Sequence, residues 1–351
     1  MDDVEVVRYR YAPRAMETLV YGGGMATHLK RSPWKAIWMP GFVLGQYLEA
    51  RRIMRHRQVD LIHAHWLLPQ GMVAKWLAKT GGIHYAVTSH GGDLYGLRMP
   101  LLVRLKRRIA AASAAMSVVS AAMLEEARAQ GICSPNMAVL PMGVDLVSRF
   151  HPDPSVRRSN DRLLFVGRLV AKKGLGHLLK AMPLVAESRP AVHLDIAGFG
   201  PEEGALRAQA QDLGIADRVS FLGPVAQADL PGLYRRATLF VAPFVRDVSG
   251  DQEGLPVALM EAIGCGCPVI AGQVAGIEEL MGESSHEVIV NPQDAKHLAA
   301  RIVEELDHPE LARERAEKRR VALGHKLDWQ TIADGYADWL QTMAVRTGEP
   351  S

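Results

Sequence analysis

Residues 253–261 read Glu-Gly-Leu-Pro-Val-Ala-Leu-Met-Glu, preceded by Val-Ser-Gly-Asp-Gln and followed by Ala-Ile-Gly-Cys-Gly-Cys-Pro-Val-Ile. Gly254 permits close approach of the backbone to a ligand, and Pro256 suits the first turn of a helix. Val257, Leu259, Met260 and Ile263 give that helix an apolar side to bury, and a strand is predicted over 268–271. Eight helical steps advance ~12 Å. Glu253 at the mouth and Glu261 along the body can therefore hold hydroxyls at two separated points of one extended ligand, and a nucleotide sugar has that shape.

Working outward, apolar runs at 162–166, 192–196, 218–222, 238–242 and 268–271 alternate with helical patterns. That alternation predicts βαβ units on a parallel sheet, a doubly wound α/β domain. Arg162-Leu-Leu-Phe-Val-Gly-Arg168 and Lys172-Lys-Gly174 read as a strand, a turn at Gly167 and a helix beginning near Gly174. Arg168 and Lys173 then lie at the carboxyl end of a parallel strand, where open α/β sheets bind ligands. Two fixed cations there can neutralise a departing diphosphate, with Lys172 the lesser neighbour. Gly198-Phe-Gly-Pro201 follows the next strand, and Gly223 ends the one after it.

The first half carries shorter signals. Residues 60–71 read as strand, loop and helix start, and Val87-Thr-Ser-His90-Gly-Gly-Asp-Leu94 as the end of the next strand. His63 and His65 are expected on opposite faces of their strand, which argues against joint metal ligation. No metal site is expected.

The Glu253–Glu261 segment, with its Gly-Leu-Pro and Gly-Cys-Pro-Val context, resembles the signature of the retaining glycosyltransferases of family four, which have the two-domain GT-B fold. The resemblance implies two Rossmann-like doubly wound domains facing a cleft, with boundaries expected at 1–154, 155–325 and a terminal helix in 326–351 that crosses back to the N-terminal domain. It further implies Glu253 as ligand of the donor sugar and Glu261 as ligand of the ribose. Gly254 and Leu255 would supply amides to the diphosphate, Arg168 and Lys173 would bind its charge, and His90 would sit near the reacting centre. Gly167, Gly198, Gly200 and Gly223 would line the donor loops, the base being read mainly by main-chain groups. Pro141-Met-Gly-Val-Asp145 resembles the segment entering the interdomain linker, with Met142 where relatives carry Asn.

The activity this implies is transfer of a hexosyl unit from a nucleoside diphosphate sugar, a UDP-sugar ahead of GDP-mannose, to an acceptor hydroxyl. Retention at the anomeric carbon, independence of divalent metal, no cofactor, and a place in cell-envelope glycolipid or polysaccharide synthesis are part of that expectation. Two other classes stay open: a catalytically impaired nucleotide-sugar-binding protein, and another nucleotide-sugar enzyme of this shape, such as an epimerase. Dinucleotide oxidoreduction fits poorly, because neither Gly167 nor Gly198-Phe-Gly200 completes Gly-x-Gly-x-x-Gly.

Relatives open with a strand, a Gly-rich loop and a second βα step, whereas Val4-Glu-Val-Val-Arg-Tyr-Arg-Tyr-Ala-Pro13 resembles the family's third strand. Gly22-Gly-Gly24 is a poor substitute for that loop. The N-terminal domain is accordingly expected to be incomplete, its sheet split around a gap with apolar surface exposed, and a frame extended by roughly 50 to 60 residues would supply the two steps.

Whole-chain quantities fit this outline. A length of 351 residues suits two cores, and 48% hydrophobic with 23% charged residues is ordinary globular composition. No apolar run reaches the ~18 residues of a membrane span, and Met-Asp-Asp-Val-Glu offers no leader pattern, so a cytoplasmic location is expected. Three Cys give neither a disulfide framework nor a four-ligand zinc set. The net charge of +3 conceals an asymmetry: 19 Lys/Arg against 11 Asp/Glu through residue 155, net +8, and 22 against 27 beyond it, net −5. On residues 98–110, Leu101, Leu102, Leu105 and Ile109 form an apolar face and Arg104, Lys106, Arg107 and Arg108 a basic one, a pattern compatible with an anionic membrane surface. Nucleic-acid binding is disfavoured, because the basic runs lack interleaved aromatics.

Overall fold

Leu163 and Phe165 of one strand pack with Leu194, Ile196, Leu239, Val241 and Ile270 in one apolar cluster. Leu164 and Val166 pack with Phe240, Ala242, Val269 and Ala271 in another. Alternate residues of the same strands thus enter separate cores on the two faces of one sheet, as the two-residue period of a strand requires. Strands buried on both faces read as continuous apolar runs. The computed structural model describes residues 4–20, 25, 29 and 32–344.

The C-terminal sheet contains β5 (Arg162–Val166), β6 (His193–Ala197), β7 (Val219–Gly223), β8 (Leu239–Ala242), β9 (Val269–Gly272) and β10 (Ile289–Val290), in the order β10-β9-β8-β5-β6-β7. All pairs are parallel. The order reverses between β5 and β8, so the carboxyl ends of these two strands flank the crevice where such sheets bind ligands. The predicted runs match these strands to within one residue, and β10 had no predicted counterpart.

The N-terminal sheet runs β1 (Leu61–His65), β2 (His84–Ser89), β3 (Ala115–Val118) and β4 (Met137–Val139), in chain order and parallel. Ala64, Tyr85, Val87, Met116 and Val118 face one core. On the opposite face Ala86 and Ala115 meet Met343, Trp339 and Leu340 of the terminal helix Trp329–Ala344. Val144 and Trp329 are joined by a backbone bond of 3.2 Å, and Val144 also bonds Leu327 at 2.9 Å, so the linker and the terminal helix cross side by side. Among the described residues this is one continuous sheet with β1 and β4 at its edges, and not a sheet split around a gap.

The segment expected as a strand from Val4 forms none. Tyr9 and Tyr11 pack edge-on against Phe42, and the backbone at Arg10 and Tyr11 runs so close to Gly45 and Gly41 that a Cβ at either would lie 2.4 Å from a carbonyl oxygen. Its alternating β-branched pattern found a helix, Met39–His56, and no strand partner. Gly22-Gly-Gly24 lies outside the described residues.

The amphipathic helix forms as Pro100–Ala112, with Leu102, Leu105 and Ile109 packed on the core and Arg104, Arg107 and Arg108 exposed as expected, but Leu101 and Lys106 depart from that division. Lys106 is fully buried beside Ile109 and Ala110, while Leu101 is 72% exposed. Lys106 Nζ donates to the carbonyls of Asp93 (3.0 Å) and Leu94 (3.2 Å), and burial lowers its pKa to about 8 despite the Asp93 carboxylate. The exposed basic face is therefore Arg104, Arg107 and Arg108 without Lys106, and the apolar face is docked on the N-terminal core. No described helix is long and apolar enough to cross a membrane.

Candidate donor and transfer site

The helix read from the opening segment runs Val257–Gly264, with Pro256 at its N-cap. Leu259, Met260, Ala262 and Ile263 are buried, whereas Val257, expected on the apolar side, is 36% exposed. The chain before it is irregular and brings Glu253 onto the loop that follows β5. Lys173 Nζ donates to Glu253 Oε2 at 3.0 Å, and Lys172 Nζ lies 3.4 Å from Oε1 and 3.3 Å from Asp251 Oδ1. Lys172, set aside from sequence, is thus the second cation on Glu253. Burial pushes the Glu253 carboxyl up, but the Lys173 and Lys172 ammonium groups outweigh it and hold the pKa below the ordinary value. The ion-pair distance from Lys172 lacks hydrogen-bond geometry, so Oε1 is a buried acceptor without a hydrogen-bond donor.

Arg168 is an exposed residue of the same loop. Partial desolvation lowers its pKa, and the Glu253 and Asp251 charges partly offset this; a guanidinium stays charged in proteins. Lys173 also sits over the Phe244 ring, 4.6 Å from its centroid, which fixes the long side chain at the tip of β8. Gly198, at φ +144°, approaches Gly167 so closely that a Cβ would lie 1.9 Å from its carbonyl oxygen. A Cβ on Gly200 would lie 2.4 Å from the Leu169 carbonyl oxygen. These two glycines lock the β5 and β6 loops together, while Gly167 and Gly223 meet no such contact.

Glu261 is buried, with Gln227 donating to Oε1 at 2.7 Å and Tyr234 to Oε2 at 2.9 Å. Burial raises its pKa and these two bonds partly restrain the rise. Neither Gln227 nor Tyr234 was singled out from sequence, and no local pattern marks them, because the contacts span 34 and 27 residues.

Across the cleft, His90 follows β2. Its backbone N–H and the Ser89 hydroxyl donate to Asp93 Oδ1 at 3.2 and 2.9 Å, and the Leu67 N–H donates to Oδ2 at 2.7 Å. Buried Asp93 therefore ties the ends of β1 and β2 together. His90 Nε2 lies 2.8 Å from His65 Nδ1, and the two rings stack. His65 in turn lies 4.4 Å, centroid to centroid, from His63. The expectation that His63 and His65 face opposite ways had the parity wrong, because residues two apart on a strand share a face.

Burial lowers the pKa of all three imidazoles, His63 to about 4, and mutual repulsion adds to it for His63 and His90. The unfolded chain therefore binds these protons first. The stability His63 contributes is complete above ~6.5 and is lost as pH falls toward about 4, with a ceiling of ~3 kcal/mol. His63→Gln should accordingly show a shallower decline of Tm between about pH 7 and about pH 4.5 than the parent chain. Equal slopes in calorimetry would contradict the assignment.

The two sides meet at Gly254. A Cβ there would lie 2.9 Å from the His90 carbonyl oxygen, 3.3 Å from Gly91 Cα and 2.7 Å from Met123 Sδ. The approach read as backbone to ligand is, in the structure, backbone to backbone between the lobes. Leu255 packs against the cores of both lobes, as does Met142, so the substituted linker residue contributes an apolar wedge. The Ala121 N–H donates to Glu279 Oε2 across the same interface at 2.8 Å.

The family profile for Glycosyl transferases group 1 matches residues 149–321, and that for the Glycosyl transferase 4-like domain matches residues 2–143. The putative colanic acid biosynthesis glycosyltransferase WcaL of Escherichia coli K12 is 30% identical over 296 residues, covering 82% of this chain and 71% of that protein. The chain is a family-four glycosyltransferase. A GDP-mannose-dependent alpha-(1-6)-phosphatidylinositol monomannoside mannosyltransferase of Mycobacterium tuberculosis is 28% identical over 315 residues, 87% of this chain and 81% of that one. Among solved structures, sucrose-phosphate synthase of Thermosynechococcus elongatus superposes with TM-score 0.79 at 22% identity, over 97% of this chain and 83% of that one. Anabaena HepE with UDP and glucose gives 0.74 at 20%, over 90% and 83%. These structures share the fold, two Rossmann-like domains in the GT-B arrangement.

Proposed function

We propose that this glycosyltransferase moves a hexosyl unit from a nucleoside diphosphate hexose to an acceptor hydroxyl, with retention at the anomeric carbon and without a divalent metal. The observation that carries the reading is the convergence, at one point of the cleft, of ionised Glu253, its two lysines and the Gly254 backbone on the His90–Gly91 turn. Glu253 Oε1, buried and lacking a donor, suits a sugar hydroxyl. An ammonium has three donors, so Lys173 can keep its bond to Glu253 and still meet a phosphate oxygen beside Arg168. Glu261 takes the ribose, each carboxylate oxygen having a further lone pair beyond its bond from Gln227 or Tyr234.

In the reaction the anomeric C–O bond to phosphate breaks as the acceptor oxygen bonds the same face of that carbon. The acceptor proton passes to the departing phosphate oxygen, no carboxylate in the matched segments being assigned as a nucleophile. Arg168, Lys173 and the amides at 254–255 stabilise the charge that develops on the diphosphate. Because the relatives at about 28% identity act on GDP-mannose, GDP-mannose is placed ahead of UDP-sugars, the reverse of the order expected from sequence.

One assay tests these points together. Donor turnover with GDP-mannose, UDP-glucose and UDP-N-acetylglucosamine is followed with and without EDTA, and the anomeric configuration of the product is read by proton NMR. Turnover that survives chelation, highest with GDP-mannose and with retained configuration, is expected. Loss on chelation with rescue by Mn²⁺ contradicts metal independence, and an inverted product contradicts the displacement described.

A further inference from the structure

Trp66 departs from the strand it ends. Continued alternation would place it on the face of Ala64, which is buried, yet Trp66 is 43% exposed. Its φ of 84° turns the chain out of the strand, and among the described residues it is the one non-glycine at positive φ. An indole on a β-carbon disfavours that region, and such residues persist only where their surroundings impose them. Here they do. The Trp66 N–H donates to the Thr88 carbonyl at 2.7 Å, its carbonyl accepts from the Gly71 N–H at 3.0 Å, and the next amide is held by Asp93 at 2.7 Å.

The residue so held is an exposed aromatic plane beside the His65–His90 pair and the Gly91–Gly92 turn. Trp66 follows His65, whose ring stacks on His90, and its Cη2 edge lies where a Cβ on Gly92 would meet it at 3.7 Å. Gly91, next along that turn, touches Gly254 of the opposite lobe. The site already assigned to the donor uses the polar residues of the opposite loop. Trp66 stands on the N-terminal side of the same gap and has no polar work in the reaction. A buried anchor would not need to be exposed, and a polar contact would not need an indole. An indole face that is rigid, half-wet and apolar suits the C–H face of a pyranose, a ring apolar on its faces and polar at its rim.

We propose that Trp66 is a stacking platform for a pyranose ring of the acceptor, so that the acceptor class is a glycoside or glycan, not an open-chain polyol or a bare lipid alcohol. The assignment rests on the transferase reading for the word acceptor, and its test separates the two. Saturation-transfer NMR is recorded with methyl α-D-mannopyranoside, methyl α-D-glucopyranoside and glycerol, on the full chain with GDP present. The ring C–H protons of the pyranosides should be saturated by the parent protein. Binding should weaken roughly 3- to 10-fold in Trp66→Ala and be largely kept in Trp66→Tyr. Trp66→Gly is the control for folding. It relieves the positive φ, so its Tm should hold or rise while pyranoside binding falls as in the alanine variant.

Pyranoside binding unchanged in both small variants overturns the platform, as does glycerol binding as strong as that of the pyranosides. A parent chain that turns over no donor defeats the transferase reading alone, because loss of pyranoside binding in the variants still supports the platform. Where transfer is measured, Trp66→Ala should raise the acceptor KM and leave the donor KM in place; a rise in the donor KM alone overturns the assignment to the acceptor.

Discussion

Arg168→Ala should lower turnover by ~10²-fold or more while leaving the fold intact, the loss seen when one stabiliser of developing charge is removed from a preorganised site. Lys173→Ala should lose at least as much, for a compound reason. Removing the ammonium deletes a phosphate ligand, and it also strips Glu253 of the hydrogen bond to Oε2, leaving the Lys172 ion pair and the more distant Arg168 charge. A buried carboxylate that loses a partner is costly, so Lys173→Ala should also lower Tm, and by more than Arg168→Ala, which truncates an exposed side chain. The pair is therefore informative as a contrast. Turnover near the parent level in both variants would remove these two residues from the phosphate site. A loss of turnover in Arg168→Ala that tracks a loss of Tm would reassign Arg168 to structure.

Much of the donor lobe was legible because its physics is local. β5, β8 and β9 are buried on both faces, so their sequences are apolar without interruption, and each predicted run falls within one residue of the strand it became. The glycines at 198 and 200 sit where loops pass one another at less than a Cβ radius, and that too leaves a mark in sequence. What was not legible depended on partners distant in the chain. Val4–Tyr11 has the composition of a strand, but a strand exists only with a neighbour to bond, and this segment packs on Gly41 and Gly45 of a helix. Lys106 was placed on a solvated face by its residue type. In the fold, two carbonyls at the end of a neighbouring short helix receive its ammonium, and Leu101 faces solvent in its stead.

The polar shell of the site was hidden for the same reason. Glu253 and Glu261 stood out because motif and spacing mark them, whereas Lys172, Gln227, Tyr234 and Asp93 acquire meaning only through contacts that the sheet topology creates. Placing His65 needs no distant partner, only the two-residue period of a strand. With the period applied correctly, His63 and His65 share a face, and the carboxyl end of β1 lies beside that of β2, where His90 begins its turn.

Gly254→Val should abolish transfer, by ~10²-fold or more, without abolishing nucleotide binding. The argument is geometric. Even a single carbon at this position would stand 2.9 Å from the His90 carbonyl oxygen and 2.7 Å from Met123 Sδ, and two further methyls cannot be absorbed by backbone on the facing side. The lobes must separate locally, and a displacement of about 1 Å between groups that act together can cost ~10²-fold in rate. His90 belongs to one lobe, and Glu253, Lys173 and Arg168 to the other, so the separation falls across the reacting centre and leaves the phosphate site whole. Affinity for GDP, measured by calorimetry, should stay within a few-fold of the parent value, while turnover collapses and Gly254→Ala falls between the two. If Gly254→Val lost nucleotide binding and transfer together, the space left by the missing side chain would be serving the nucleotide, beyond the amide that valine keeps, and the contact between lobes would be incidental to catalysis.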